Sequence, residues 1–192
     1  MATSIVCASS VRQDPILRGN GLERRWYAAY TCANHEKRVT EQLGLRGIEH
    51  FLPLYESVRK WADRRRRLKV PLFAGYVFVR VAVEERLRVL EIPSVARLVG
   101  FGGLPSALPD QEIEALRNMM ASRLRAEPHP YPAAGRRVRI ISGPLEGAEG
   151  TLVRSKGVVR LVLSIDLIRQ SATVEVNATD VEPVIHSSVS AR

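Results

Sequence analysis

Read at a period of two, the nearly continuous apolar run of residues 71–83, PLFAGYVFVRVAV, splits into two apolar faces. On an extended strand Val77, Val79, Val81 and Val83 fall on one face, and Tyr76, Phe78, Arg80 and Ala82 on the other. The valine face requires a core. The aromatic face requires a cover of its own: a helix of the same domain, a second sheet layer, a second domain or another protein. The pattern predicts one long strand over residues 68–83.

Elsewhere the same reading yields an α+β arrangement. WYAAYT, residues 26–31, is an aromatic-rich strand. Asn34 is placed to cap a helix over residues 35–46, with Val39 and Leu43 on one face and Gly47 as its C-terminal stop. Residues 48–54 read as a strand broken by Pro53. Residues 84–92 read as a short helix with Glu84 and Glu85 in the first turn, ended by Pro93. Residues 96–101 form a strand before a Gly102-Gly103 turn. Asp110 is placed to cap a helix over residues 111–125, whose stripe is Ile113, Leu116, Met120 and Leu124.

The pattern then breaks. EPHPYPAA, residues 127–134, carries three prolines at alternate positions and reads as an extended linker. Beyond it come short β-rich runs at residues 137–141, 150–155, 158–164 and 172–176. The predicted organisation is a disordered leader (1–24), an α+β N-terminal domain (25–126), the proline-rich linker (127–134), a small all-β barrel (135–184) and a tail (185–192).

Charge sharpens this picture. The chain of 192 residues carries a net charge of +9 with a pI of about 10.2, which favours polyanionic partners. The excess is local. Residues 57–69 hold seven basic side chains (Arg59, Lys60, Arg64, Arg65, Arg66, Arg67 and Lys69) against one acid, Asp63. Such a run repels itself and predicts an exposed hairpin tip or loop that meets phosphates, with Trp61 placed to stack on a base. Cys7 falls in the leader, which argues against a structural disulfide and fits a reducing cytoplasm. No apolar run is long enough to span a membrane.

Two sets of residues carry a family resemblance. Gly143-Pro144, Gly147 and Gly150 follow an alternating strand in GRRVRIISGPLEGAEGTL, residues 135–152, and this spacing resembles a KOW motif. Upstream, WYAAYT, PLFAGYVFV and SVARLVGFGG resemble the N-terminal domain of the NusG family. The basic run at 57–69 and residues 161–176, ending in LSIDLIRQSATVEV, are more similar to specialised paralogs of the RfaH or UpxY type than to housekeeping members.

The resemblance implies a transcription elongation or antitermination factor that binds bacterial RNA polymerase. The N-terminal domain would sit on the clamp helices and suppress pausing or termination. Tyr76 and Phe78 match positions of the apolar patch that meets polymerase. The basic run would touch non-template DNA. Ile165, Leu167, Ile168 and Arg169 resemble the loop through which the KOW barrel engages a second partner, a small-subunit ribosomal protein or Rho. The implied protein is a cytoplasmic monomer without a cofactor.

An alternative reading is a ribosome-associated or RNA-binding KOW protein, which explains the charge and the glycine pattern but leaves the first domain without a role. Catalysis has little support in the sequence. There is no nucleophile elbow, no Walker loop and no paired His/Cys constellation, and Gly100–Phe101–Gly102–Gly103 lacks the lysine of a phosphate-binding loop.

Overall fold

The computed structural model describes residues 23–61, 64–122, 124, 126–130, 135–155 and 158–184. The expected leader, except Glu23 and Arg24, and the expected tail lie outside the described residues. In chain order the first part comprises β1 (Arg25–Thr31), α1 (Glu36–Leu45), β2 (Glu49–Phe51), β3 (Leu54–Trp61), β4 (Arg64–Pro71), β5 (Tyr76–Val81), α2 (Arg86–Leu90), β6 (Val95–Leu98), β7 (Gly100–Phe101), β8 (Leu104–Pro105) and α3 (Asp110–Ala121). The second comprises β9 (Glu127–His129), β10 (Arg136–Ile140), β11 (Glu149–Ser155), β12 (Val158–Ile165), β13 (Gln170–Glu175) and β14 (Val181–Pro183).

The first sheet is antiparallel, in the order β2-β5-β1-β6. Its valine face closes as the alternation requires. Val77, Val79 and Val81 pack with Tyr27 and Ala29 of β1, Val39 and Leu43 of α1, and Val89 and Ile92 at α2. On the opposite face Trp26, Ala28 and Phe78 share a cluster with Ile113, Leu116 and Met119 of α3. The Arg117 guanidinium of α3 stands 4.7 Å above the Trp26 ring and 5.5 Å from that of Phe51, a cation–π clamp on this layer.

Several sequence expectations are corrected at element edges. The predicted long strand over 68–83 is two strands, β4 and β5, separated by a turn in which Gly75 takes φ 81°. Pro71 lacks an N–H for further pairing and Gly75 reverses the chain. The α1 cap position is His35 rather than Asn34, which itself has φ 62°. Asp110 is the first residue inside α3; Pro109 occupies the cap position. That helix ends at Ala121, four residues earlier than expected. Ser122 turns extended, and its hydroxyl donates to the Met119 carbonyl at 2.7 Å. Met119, not Met120, is therefore the buried methionine, and Leu124 lies past the helix end.

The second sheet is antiparallel, in the order β14-β10-β11-β12-β13-β9. All four predicted runs are strands. The first three residues of the expected linker are not linker: Glu127, Pro128 and His129 pair with Thr173, Ala172 and Ser171 of β13. Pro128 is tolerated there because β9 is an edge strand. Of that stretch, residues 131–134 lie outside the described residues. One face of the sheet buries Val138, Ile140, Leu161, Leu163, Ile165, Ala172 and Val174. By register the other face carries Arg137, Thr151, Val162, Ser164, Ser171 and Thr173. That polar face lines a cleft with Gln111, Glu112 and Ala115 of α3, so the helix lies between the two sheets.

Candidate functional site

The face of the first sheet that α3 covers is not covered to its end. Tyr30 stands opposite Tyr76 in the β1–β5 register and opposite Arg97 in the β1–β6 register. The two tyrosine rings lie 5.4 Å apart, tilted by 55°. The Arg97 guanidinium sits 5.2 Å from the Tyr30 centroid. Tyr30 is 38% exposed and Tyr76 half-buried. Two amphipathic rings beside a cation form a surface suited to another polypeptide.

The corner is held from behind. The Gly75 N–H donates to Glu36 Oε1 at 2.7 Å, and Thr31 N–H donates to the Gly75 carbonyl at 2.8 Å. Glu36 is 4% exposed, so α1 lends a buried carboxylate to the turn that precedes Tyr76. A Cβ on Gly75 would come within 3.3 Å of the Tyr30 ring, and its φ of 81° strains any L side chain.

Of the two predicted docking rings, one is corrected. Phe78 is 0% exposed, edge-on to Phe73 at 5.9 Å and stacked with Phe51 at 6.2 Å. It belongs to the core beneath α3 because its cross-strand neighbours are Ala28 and Phe51, in the middle of the layer. Tyr30 was missed. Its signal was available: at period two in WYAAYT it shares a face with Trp26 and Ala28.

The basic run forms a two-stranded ribbon in a sheet of its own, with β3 and β4 paired from Leu54↔Pro71 to Trp61↔Arg64. The register sets Arg59 opposite Arg66 and Lys60 opposite Arg65. Arg66, Arg67 and Lys69 are exposed. The side chains of Arg59, Lys60, Trp61, Arg64 and Arg65 lie outside the described residues. Lys37 of α1 ties the ribbon's base to the domain by donating to the Lys69 carbonyl at 2.7 Å. Like charges directly opposed weaken a ladder, so this ribbon is suited to an anionic partner rather than to its own stability.

In the second sheet, Gly143 and Gly147 take φ 90° and 83°, as the glycine spacing requires. A Cβ at Gly150 would meet the Val162 carbonyl at 2.6 Å, so β11 and β12 approach closely there. The predicted partner loop divides. Ile165 and Ile168 are buried and are corrected to core residues, because β12 alternation and the helical turn over Asp166–Ile168 aim both inward. Leu167 is half-buried and Arg169 exposed, the latter in a left-handed conformation with φ 53°. A further exposed feature was not anticipated. Phe101 (75% exposed) and Leu104 face each other across a hairpin whose turn, Gly102-Gly103, has both φ angles positive, the signature of a two-residue primed turn.

Among the described residues no group of three or more His, Cys, Asp or Glu is placed to hold a metal ion, and no helix is long and apolar enough to cross a membrane. Among the described residues, the carboxyl pushed far from its ordinary value is Glu112, in the cleft between α3 and the second sheet. Burial, and then the Asp166 carboxylate, raise it to about 7, while Arg137 acts in the opposite direction.

Fold and site define a two-part chain: an α+β domain presenting an aromatic corner and a basic ribbon, followed by an all-β unit with KOW-type glycine spacing. Residues 24–117 match the family model described as transcription termination factor nusG. A transcription termination/antitermination protein NusG of Vibrio parahaemolyticus is 29% identical over 175 residues, 83% of this chain and 96% of the relative. Its counterpart in Pseudomonas aeruginosa is 27% identical over 178 residues, 85% of this chain and 100% of the relative. The solved structure described as domain interaction in Thermotoga maritima NusG shares the fold, with a TM-score of 0.50 at 22% identity, covering 86% of this chain and 100% of that one. The chain belongs to the NusG family.

Proposed function

We propose that this protein is a non-enzymatic transcription termination/antitermination factor that acts on elongating bacterial RNA polymerase. The observation that carries the reading is the exposed Tyr30–Tyr76–Arg97 corner, on a sheet face whose remaining aromatic residues are covered by α3. The names of its relatives support the same activity.

In this reading the corner docks on the clamp helices of the polymerase, with Tyr76 taking the role expected of it and Tyr30 replacing Phe78. The β3–β4 ribbon reaches the non-template DNA through its cations, Arg66, Arg67 and Lys69 among them. The all-β unit recruits a second partner, a small-subunit ribosomal protein or Rho, through Leu167 and Arg169. The ribbon's concentration of charge supports a specialised paralog rather than a housekeeping factor.

The test is binding of the full chain to a reconstituted elongation complex. Burying one aromatic ring of this size is worth about 1.5–3 kcal/mol, so Tyr76→Ala is expected to weaken binding about ten- to a hundredfold, and Tyr30→Ala/Tyr76→Ala further. Wild-type affinity in the double variant, with folding intact by circular dichroism, would remove the corner from the interface.

A further inference from the structure

One apolar cluster runs from Ile113, Leu116 and Met119 of α3 into the buried face of the second sheet, and beside it lies a polar cleft in which Arg137 and Asp166 are exposed. On the helix side stands Glu112; facing it across a cleft of about 600 Å³ are Arg137, Thr151, Ser164 and Asp166. Glu112 Oε2 is buried without a hydrogen-bond partner, and so is Thr173 Oγ1 on the same face of the sheet. Buried polar atoms left unpaired cost free energy. The unpaired Glu112 oxygen in the cleft weakens the closed contact, and contacts between domains of one chain commonly open. Only five residues, 122–126, join α3 to β9, so the sheet stays near the helix when the contact opens. The contact also leaves the aromatic corner uncovered, since Tyr30 remains exposed with the sheet in place.

We propose that Glu112 is a proton-sensitive catch on the contact between α3 and the second sheet. Protonated, its carboxyl is neutral, lies beside Asp166 without repulsion and has a proton to donate toward the hydroxyl-lined face. Ionised, it sets a partly buried negative charge beside a second carboxylate, with Arg137 as the offsetting cation. The remaining charged groups of the cleft, Arg139 and Glu149, are paired with each other and offset one another.

The direction of the effect follows from linkage. In the closed contact the Glu112 carboxyl is raised to about 7 from an ordinary 4.5. With the contact open it returns toward 4.5, so the closed form holds the proton more tightly. Closure is therefore strongest below about pH 4.5, weakens as pH rises, and levels off above about 7. A carboxyl moved this far caps the change in the closure constant at about three-hundredfold, tenfold for each pH step of one. Because Glu112 is only partly buried, solvent screening keeps the change below this cap.

The test needs no polymerase, so its failure is distinct from failure of the proposed function. A donor and an acceptor dye are placed on the full chain at Leu45→Cys and Ile141→Cys, both exposed positions, with Cys7 and Cys32 replaced by serine. Energy transfer is followed from pH 5 to pH 8. The wild-type background should change its transfer efficiency below about pH 7 and level off above it, and Glu112→Gln should hold the low-pH value throughout. Glu112→Gln retains every other titratable group, His129 included, so a response that persists in it overturns the proposal. A flat wild-type response, or a glutamine variant that sits open at every pH, overturns it equally.

Discussion

On one side of β5, Val77, Val79 and Val81 are sealed under α1 and α2. On the other, Phe78 is sealed under α3, while Tyr76, two residues earlier, is not. The faces share a backbone and differ in how far their covers reach. Two helices close the valine face. The single helix α3 closes the middle of the aromatic face and leaves its end open at Tyr30 and Tyr76. Apolar character alone therefore does not separate a core ring from an exposed one; the reach of the covering helix does.

The largest expected effect breaks the covered half of that comparison. Phe78→Ala removes a fully buried ring that packs with Phe51 and Phe73. Such truncations cost about 3–5 kcal/mol, a large fraction of the stability of a small domain. Denaturant unfolding should show this loss, against less than about 1 kcal/mol for Tyr76→Ala, whose ring is only half-buried. Equal losses would mean that Tyr76 is core as well and that the corner is not a docking surface.

The next effect sharpens the open half. Glu36 holds Gly75, and Gly75 sets the chain direction into Tyr76. Glu36→Ala leaves the Gly75 N–H without its buried acceptor, at a cost of about 1–3 kcal/mol. It also frees the turn under the tyrosine pair. Glu36→Gln keeps an acceptor oxygen and should recover most of both losses. The near-ultraviolet circular dichroism of the tyrosines reports the geometry, and the elongation-complex affinity reports its consequence. If the alanine variant behaves like wild type, Glu36 is not what positions the corner.

Much of this was legible in the residues, for reasons that differ by element. Period-two alternation placed the valine face and every strand of the second sheet that it predicted, because burial on one face forces that pattern directly. The glycine spacing placed Gly143 and Gly147 because positive φ admits few other residues. Alternation could not say which rings of the aromatic face are covered, since that depends on where α3 stops, and Ser122 rather than a proline or glycine stops it. Glu127–His129 read as linker because dense proline prevents helix and favours an extended chain; only the partner strand β13 reveals an edge that tolerates it. Nothing local in the sequence singles out Glu36, because its partner Gly75 is 39 residues away.

The smallest effect concerns the ribbon, in which Arg66, Arg67 and Lys69 are exposed. The β3–β4 ladder opposes Arg59 to Arg66 and pairs with no third strand. Replacing Arg66 and Arg67 with alanine should leave folding stability unchanged or raise it by a few tenths to about 1 kcal/mol, since like charges opposed across a ladder repel. Nucleic-acid binding should move the other way. Each phosphate that the variant no longer neutralises lowers the log–log salt slope by about 0.9 on duplex DNA and about 0.7 on a single strand. Titration of full-length wild type and variant with both forms of DNA at several salt concentrations reads these slopes. A variant that is destabilised while its salt slope holds would make the two arginines structural, and the ribbon would then resemble the valine face more than the corner.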